Sequence, residues 1–327
     1  MRVAVVQHDI VWQDAAATRA HLEPMVATAA GTGARLVVLT EMFATGFSMQ
    51  PEWVAERRNG PTEQWLSEQA RAHDVWIVGS VAQWDEVPGA GEPGEGEPGE
   101  GEPGDGDRRD GDRGDGDPRD GDPRDGDRLD PATATHPRRA VNVAVLAGPA
   151  GERHRYEKMH PFSFAGEHEH YRPGEKPLTV DVDGVRTSVF VCYDLRFAED
   201  FWPLAHDTDL YVVVANWPQA RREHWRTLLR ARAIENQAYV VGANRVGRAG
   251  PAQAPAAAQA TGPADRPGAT QALEADPPDH AGDSAIIDPL GRTLAEAAHV
   301  ETVVWADVDP AVAAEVRSRF PFLADRR

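Results

Sequence analysis

Residues 185–244 read VRTSVFVCYDLRFAEDFWPLAHDTDLYVVVANWPQARREHWRTLLRARAIENQAYVVGAN. Three short β-branched runs, Val185 to Val191, Leu210 to Ala215 and Tyr239 to Asn244, alternate with helical stretches at Ala198 to His206 and Arg222 to Ala238. Strands of this length separated by amphipathic helices predict an α/β sheet. The same rhythm holds upstream: Val3 to Gln7, Leu36 to Leu39, Val75 to Ser80 and Ala140 to Ala147 read as strands. Helices are expected at Ala15 to Ala30, closed by Gly31, and at Thr62 to His73. Downstream the character changes. Ser284 to Asp288, a Pro289-Leu290-Gly291-Arg292 turn, Thr293 to Ala297 and Thr302 to Asp307 predict an antiparallel meander before a last helix at Pro310 to Arg319. A mixed sheet is therefore expected rather than a purely parallel one.

Two segments break the rhythm. About Glu86 to Thr135, GEPGEGEPG gives way to DGDPRDGDPRD without one aromatic residue. Such a composition buries too little apolar surface to offset its ordering entropy, so disorder is expected. Its Asp-Gly-Asp units lack the third ligand of a calcium loop, which argues against specific calcium binding. About Arg248 to His280, rich in Ala, Pro and Gln, is expected to be a second insertion. Because the strand pattern resumes after each, one domain spanning 1–327 is expected, with insertions at about 86–135 and 248–280.

The net charge of −19 is concentrated, since residues 86–130 carry 17 Asp or Glu against 6 Arg. An acidic surface without a basic stripe argues against nucleic acid as a partner. A single cysteine cannot form an intramolecular disulfide. The opening MRVAVVQHDI is too short and polar for a signal peptide, and no apolar run approaches the roughly 20 residues of a bilayer span. A soluble, cytoplasmic protein without a membrane partner is the expectation.

The candidate chemistry sits at strand ends. The run Val189-Phe190-Val191 stops at Cys192 and turns polar through Tyr193-Asp194-Leu195-Arg196. In α/β sheets the carboxyl edge is where ligands bind, and a sharp turn there exposes a side chain and the next backbone N–H. A buried structural cysteine is the competing reading. Leu36 to Thr40 likewise ends at Glu41, which either shares that edge or caps a turn. Lys158, in Tyr156-Glu157-Lys158-Met159-His160, is surface decoration unless drawn inward, where an ammonium would lower a thiol pKa and meet a developing oxyanion. Gly166 to Gly174 is dense in titratable groups but has no metal-ligand spacing, so no metal is expected.

Taken together, TEMFATGF around Glu41, YEKMHPF around Lys158, GEHEHYRPG around Glu167 and VCYDLRF around Cys192 resemble the signature segments of the nitrilase superfamily of carbon-nitrogen hydrolases. Ala215-Asn216-Trp217-Pro218, the helix HWRTLLRARAIENQ and Gly282-Asp283-Ser284 also look like this family. The resemblance implies an αββα sandwich and a Glu-Lys-Cys triad, here Glu41, Lys158 and Cys192. It implies no cofactor, and commonly a homodimer. The likeness is to the omega-amidase branch, which implies a small-molecule amide substrate such as 2-oxoglutaramate or 2-oxosuccinamate. Pro161, where such segments commonly carry Leu, and the two long insertions depart from the pattern.

On that resemblance Glu41 is the expected base, Lys158 and the Tyr193 backbone N–H hold the oxyanion, and Glu167 orients Lys158. One of the two carboxylates beside the ammonium is expected to have a raised pKa. Phe47, Asn216 and Trp217 are candidates to line the substrate pocket, while Arg196 is expected to support the fold by pairing with a carboxylate. A carbamoylase or aliphatic amidase would use the same triad, and a nitrilase would reveal itself by turning over nitriles. A non-catalytic small-molecule binding protein is the alternative of another class, though it would have no need of all three groups.

Overall fold

A computed structural model describes residues 1–85, 139–250 and 279–326. In chain order the elements are β1 (Arg2–Gln7), α1 (Ala15–Gly31), β2 (Leu36–Val38), α2 (Pro51–Val54), α3 (Pro61–His73), β3 (Trp76–Trp84), β4 (Ala140–Ala147) and β5 (Arg153–Glu157). There follow α4 (Glu167–His170), β6 (Thr179–Val182), β7 (Val185–Val191), α5 (Ala198–Phe201), β8 (Leu210–Ala215), α6 (Arg222–Asn236), β9 (Tyr239–Asn244) and β10 (Val246–Arg248). The chain continues through β11 (Asp279–Ile287), β12 (Thr293–Ala298), β13 (Thr302–Asp307) and α7 (Pro310–Arg319).

The strands form two mixed sheets. One runs β13-β1-β2-β3-β4-β5, the other β10-β11-β9-β8-β7-β6, with β12 paired to β11. In each, three neighbouring parallel strands, β1-β2-β3 and β7-β8-β9, are flanked by antiparallel ones.

Side-chain alternation along each strand explains the layering. Val3, Val5, Leu36, Val38 and Val78 share a core with Val189, Val191, Val212 and Val214, so the sheets pack face to face. The intervening Ala4, Val6, Val37, Leu39 and Ile77 point outward and meet Leu22, Val26 and Ala29 of α1 and Trp65, Leu66 and Ala70 of α3. On the second sheet Trp225, Leu229 and Ala233 of α6 complete the opposite layer. The result is an αββα sandwich, and β2, β5, β7 and β8 all end beside the residues described below.

Four expectations are corrected. The three-strand meander does not form, because β13 leaves β12 and pairs with β1 from Arg2↔Asp307 to Gln7↔Thr302. That pairing covers what would otherwise be an open edge of the first sheet, a liability that sequence periodicity does not register. The helix expected at Ala198 to His206 ends at Phe201 and continues as a 3₁₀ turn, Trp202–Leu204. Pro203 has no N–H to continue the α-helical ladder. The second insertion is narrower than expected, since Arg248 closes β10 and Asp279 and His280 open β11. Lastly, β6, β10 and the one-turn α2 and α4 lie outside the elements expected from the sequence, each being only three or four residues long.

The expected disorder, and the argument about calcium, otherwise concern residues outside those described. Trp84 pairs with Ala140, and the Asp85 N–H donates to the Arg139 carbonyl at 3.2 Å. Arg248 pairs with Asp279. The chain therefore leaves and rejoins the fold across an antiparallel pair at both places, which leaves the sandwich register intact. No helix among the described residues is long and apolar enough to cross a membrane.

Gly242 on β9 marks where α6 presses hardest on the sheet: a Cβ there would fall inside contact distance of Leu229 and Trp225. Gly242→Ala is expected to destabilise the protein by about 1–3 kcal/mol through overpacking, read as a lower urea midpoint at constant m.

Candidate active site

The nucleophile candidate is set by a strained turn. At the end of β7, Cys192 adopts φ +47°, a left-handed conformation costing a non-glycine residue roughly 1–3 kcal/mol. The following residues form a 3₁₀ turn, Cys192–Arg196. Asp194 holds the bend, accepting hydrogen bonds from Val191 N at 2.9 Å, His160 N at 2.9 Å and the Tyr156 hydroxyl at 2.8 Å. Arg232 braces it from α6 by donating to the Leu195 carbonyl at 2.8 Å. Burial pushes the Asp194 carboxyl up to about 6 against these three donors and the Lys158 charge.

Glu41 follows β2 at a second tight bend, where Met42 also has positive φ, +38°. Ser80 fixes that bend, its hydroxyl accepting from Met42 N and its carbonyl from Phe43 N. The carboxylate of Glu41, fully buried, accepts from Lys158 Nζ at 2.9 Å, Asn142 Nδ2 at 2.9 Å and Asn216 N at 2.9 Å. Asn216 also donates its side-chain amide to the Glu41 carbonyl. Lys158, just beyond β5, is drawn fully inward and reaches Glu167 at 2.8 and 3.1 Å. Glu167 accepts further from Phe162 N and, at 3.3 Å, from Asn142 Nδ2.

The electrostatics follow from this packing. Burial alone would strip Lys158 of its proton, but Glu167 and Glu41 outweigh it and hold the ammonium charged well above the usual lysine range. Burial raises the Glu167 carboxyl, with Lys158 opposing and Glu41 adding to the rise. The raised member of the expected carboxylate pair is thus Glu167. Cys192 is half-buried. Desolvation by the surrounding protein, with the hydrogen-bonded Glu41 carboxylate, pushes its thiol well above the usual range, and Lys158 only partly offsets this. The expected lowering of the thiol by the ammonium is present but loses. A neutral thiol, hydrogen-bonded to a carboxylate that can take its proton, is the resting arrangement.

The structure thus brings Glu41, Lys158, Glu167 and Cys192 together. Tyr193 N lies in the first turn after Cys192, where an N–H has no acceptor within the helix. Phe47 lies beside the cluster, its ring centroid 5.1 Å from Lys158 Nζ. Asn216 binds Glu41 on two sides. Trp217 is buried against Trp225, with its ring under the Arg196 guanidinium at 4.8 Å. Arg196 is a correction: it has no carboxylate partner among the described residues, but stacks on Trp217 and Tyr193 and meets His224 Nδ1 at 3.2 Å. In Gly166 to Gly174 only Glu167 and Tyr171 turn fully inward, and no group of His, Cys, Asp or Glu among the described residues is arranged to hold a metal.

Sequence reading missed Asn142, Asp194 and Arg232. Asn142 lies inside an apolar strand, and a polar residue at a fully buried strand position was the signal available.

The sequence profile of the family described as carbon-nitrogen hydrolase matches residues 2–95 and 128–318. Omega-amidase YafV of Escherichia coli (strain K12) is 30% identical over 327 residues, covering 99% of this chain and 96% of the relative. The 2-oxoglutaramate amidase of Bacillus subtilis (strain 168) is 36% identical over 177 residues, covering 53% and 57% of the two chains. Among solved structures, XC1258 of Xanthomonas campestris, a CN-hydrolase superfamily protein with an arsenic adduct in its active site, is 30% identical with TM-score 0.73, covering 100% of this chain and 97% of its own. Saccharomyces cerevisiae Nit3, of the nitrilase superfamily, shares the fold at 22% identity and TM-score 0.68, covering 98% of this chain and 94% of its own. The chain belongs to the carbon-nitrogen hydrolase family. It is an amidase acting on carbon-nitrogen bonds other than peptide bonds.

Next to Thr40 and Glu41, His8 is fully buried, its Nε2 3.1 Å from Thr40 Oγ1 and its Nδ1 2.8 Å from the Asp9 carbonyl. Burial lowers it to about 4. Because the unfolded chain binds this proton more readily, the contribution is complete above pH ~6.5 and is lost as pH falls towards 4, up to about 3 kcal/mol. Urea unfolding from pH 7.5 to 4.5 is expected to show wild type losing more stability than His8→Gln over that window. Parallel curves would reject the assignment.

Proposed function

We propose that Cys192 attacks the amide carbonyl and that Glu41 is the base and acid of the reaction. Supporting this is the contact of a neutral thiol with a buried carboxylate that is itself tied to a buried ammonium. As Sγ bonds to the carbonyl carbon, its proton passes to Glu41, and the electron pair of the C=O moves to oxygen. The oxyanion is held by Lys158 and the Tyr193 N–H. Lys158 meets Glu41 at 2.9 Å and Glu167 at 2.8 and 3.1 Å, so one of its three N–H donors turns to substrate by giving up the longer contact to Glu167. The tetrahedral species collapses, the C–N bond breaks, and Glu41 returns the proton to the departing nitrogen, which leaves as ammonia.

A thioester remains. Glu41, again a carboxylate, takes a proton from water as its oxygen attacks the thioester carbon. Collapse expels the sulfur, which regains a proton from Glu41, and the acid is released. Glu167, by accepting from Lys158, Phe162 N and Asn142, fixes where the ammonium points. No step calls for a cofactor.

The substrate we propose is an omega-amide of a 2-oxo acid, 2-oxoglutaramate or 2-oxosuccinamate. Similarity over nearly the whole chain to an omega-amidase, and over part of it to a 2-oxoglutaramate amidase, supports this. Ammonia release is to be compared over 2-oxo omega-amides, glutamine, asparagine, carbamoyl amino acids and nitriles; preference for any other class would reject the substrate.

For the chemistry, Cys192→Ala is expected to abolish turnover in a folded protein, and Glu41→Gln to lower kcat by roughly 10²- to 10⁴-fold. Lys158→Arg is expected to fail too, because a planar guanidinium does not fit the place of a compact ammonium. Full activity in Cys192→Ala would end the proposal.

A further inference from the structure

The site just described is strongly polar at its base, yet its outer side carries cations without counter-ions. Among the arginines, Arg2, Arg35, Arg155, Arg172, Arg186, Arg222 and Arg245 each hold a carboxylate. Arg221, immediately before α6 and half-buried, does not. Among the described residues its guanidinium has neither an ion pair nor a hydrogen bond, and it lies over the face of Phe162, 5.4 Å from Cζ to the ring centroid. The titratable groups whose charge reaches it are Cys192, Arg196 and Tyr193, none of them a carboxylate.

Phe162 ties this cation to the catalytic cluster. Its backbone N–H donates to Glu167, and its ring lies 4.8 Å from that of Tyr193, the residue after the nucleophile. Arg196, the neighbouring cation, is already committed to His224 and to the faces of Trp217 and Tyr193. Arg221 alone of the two keeps its whole donor fork unused. A half-buried guanidinium with no partner, facing a second cation, is in an unfavourable place that an anion would relieve.

We infer that Arg221 is the specificity residue that receives the carboxylate of the substrate at the end remote from the scissile amide, with its fork bidentate on the two oxygens and Phe162 fixing its plane. This rests on the omega-amide reading above and names the group that would make that reading selective. The carboxylate would lie on the cationic rim while the amide carbon meets Cys192, so a neutral amide would bind without this anchor.

The test compares the 2-oxo omega-amide with the straight-chain aliphatic amide of equal length, in wild type, Arg221→Gln, Arg221→Lys and, as a surface control, Arg226→Gln. For Arg221→Gln we expect KM for the oxo-acid amide to rise roughly 10- to 100-fold with kcat changing by less than about threefold. The preference for acidic over neutral amide falls by the same factor. Arg221→Lys recovers part of it as a point charge, and the control behaves as wild type. A parallel measurement, calorimetric binding of 2-oxoglutarate to Cys192→Ala with and without Arg221→Lys, reads the anchor without turnover and is expected to weaken several-fold.

An unchanged KM for the oxo-acid amide in Arg221→Gln, or equal losses on both amides with no recovery by lysine, overturns the inference while leaving the substrate class standing. Wild-type enzyme that prefers the neutral amide overturns the substrate class, and the inference with it.

Discussion

An ammonium fully enclosed with two carboxylates is the interaction that organises this molecule. Lys158, Glu41 and Glu167 show almost no surface, so none can be solvated by water, and removing Lys158 would leave two buried carboxylates without a counter-charge, at a cost of several kcal/mol. The arrangement survives because protein supplies the missing donors: Asn142 from β4, Phe162 N from the loop before α4, and Asn216 N from beyond β8. Asn216 belongs to the second sheet and Glu41 to the first. Tyr156 and His160 likewise cross from the first sheet to Asp194 at the end of β7. The charged cluster and the apolar sandwich therefore depend on each other, since the bonds satisfying the charges also hold the sheet ends in register.

The same enclosure decides the state of the nucleophile. A lysine close to a cysteine would ordinarily favour thiolate. Here desolvation and the Glu41 carboxylate outweigh the ammonium and favour the protonated sulfur. On the proposed mechanism this leaves the proton for Glu41 to remove during attack. The left-handed turn at Cys192 is sustained by three donors on Asp194 and by Arg232, so bond strength at a distance from the sulfur maintains its position.

What could be read from the chain depended on how local its cause was. Ala140–Ala147, Val185–Val191, Leu210–Ala215 and Tyr239–Asn244 were legible because largely buried strands read as short, mostly apolar runs rich in Val. Strand ends singled out Glu41 and Cys192, but not on a shared edge: β2 lies in one sheet and β7 in the other, so the two residues meet across the sandwich, and the spaced motifs linked them to Lys158 and Glu167. The partner of β13 was illegible, because an amphipathic strand does not state which sheet it will join. Asn142 was illegible for a related reason: its significance is its distance to carboxylates 101 and 25 residues away. Arg196 was misassigned since arginine serves aromatic faces as readily as carboxylates.

The enclosed charge cluster and the cationic rim are thus structurally separate. The buried triad tolerates little change, because each member neutralises or hydrogen-bonds another. The rim formed by Phe162, Tyr193, Arg196 and Arg221 is held by ring stacking and is partly open, so its charge can vary without breaking the core balance. Phe162 belongs to both, giving its N–H to Glu167 and its ring to Arg221. A ligand drawn to the rim is therefore one residue away from the carboxylate that orients the ammonium. That economy joins an enclosed charge cluster to a partly open cationic rim on a single fold.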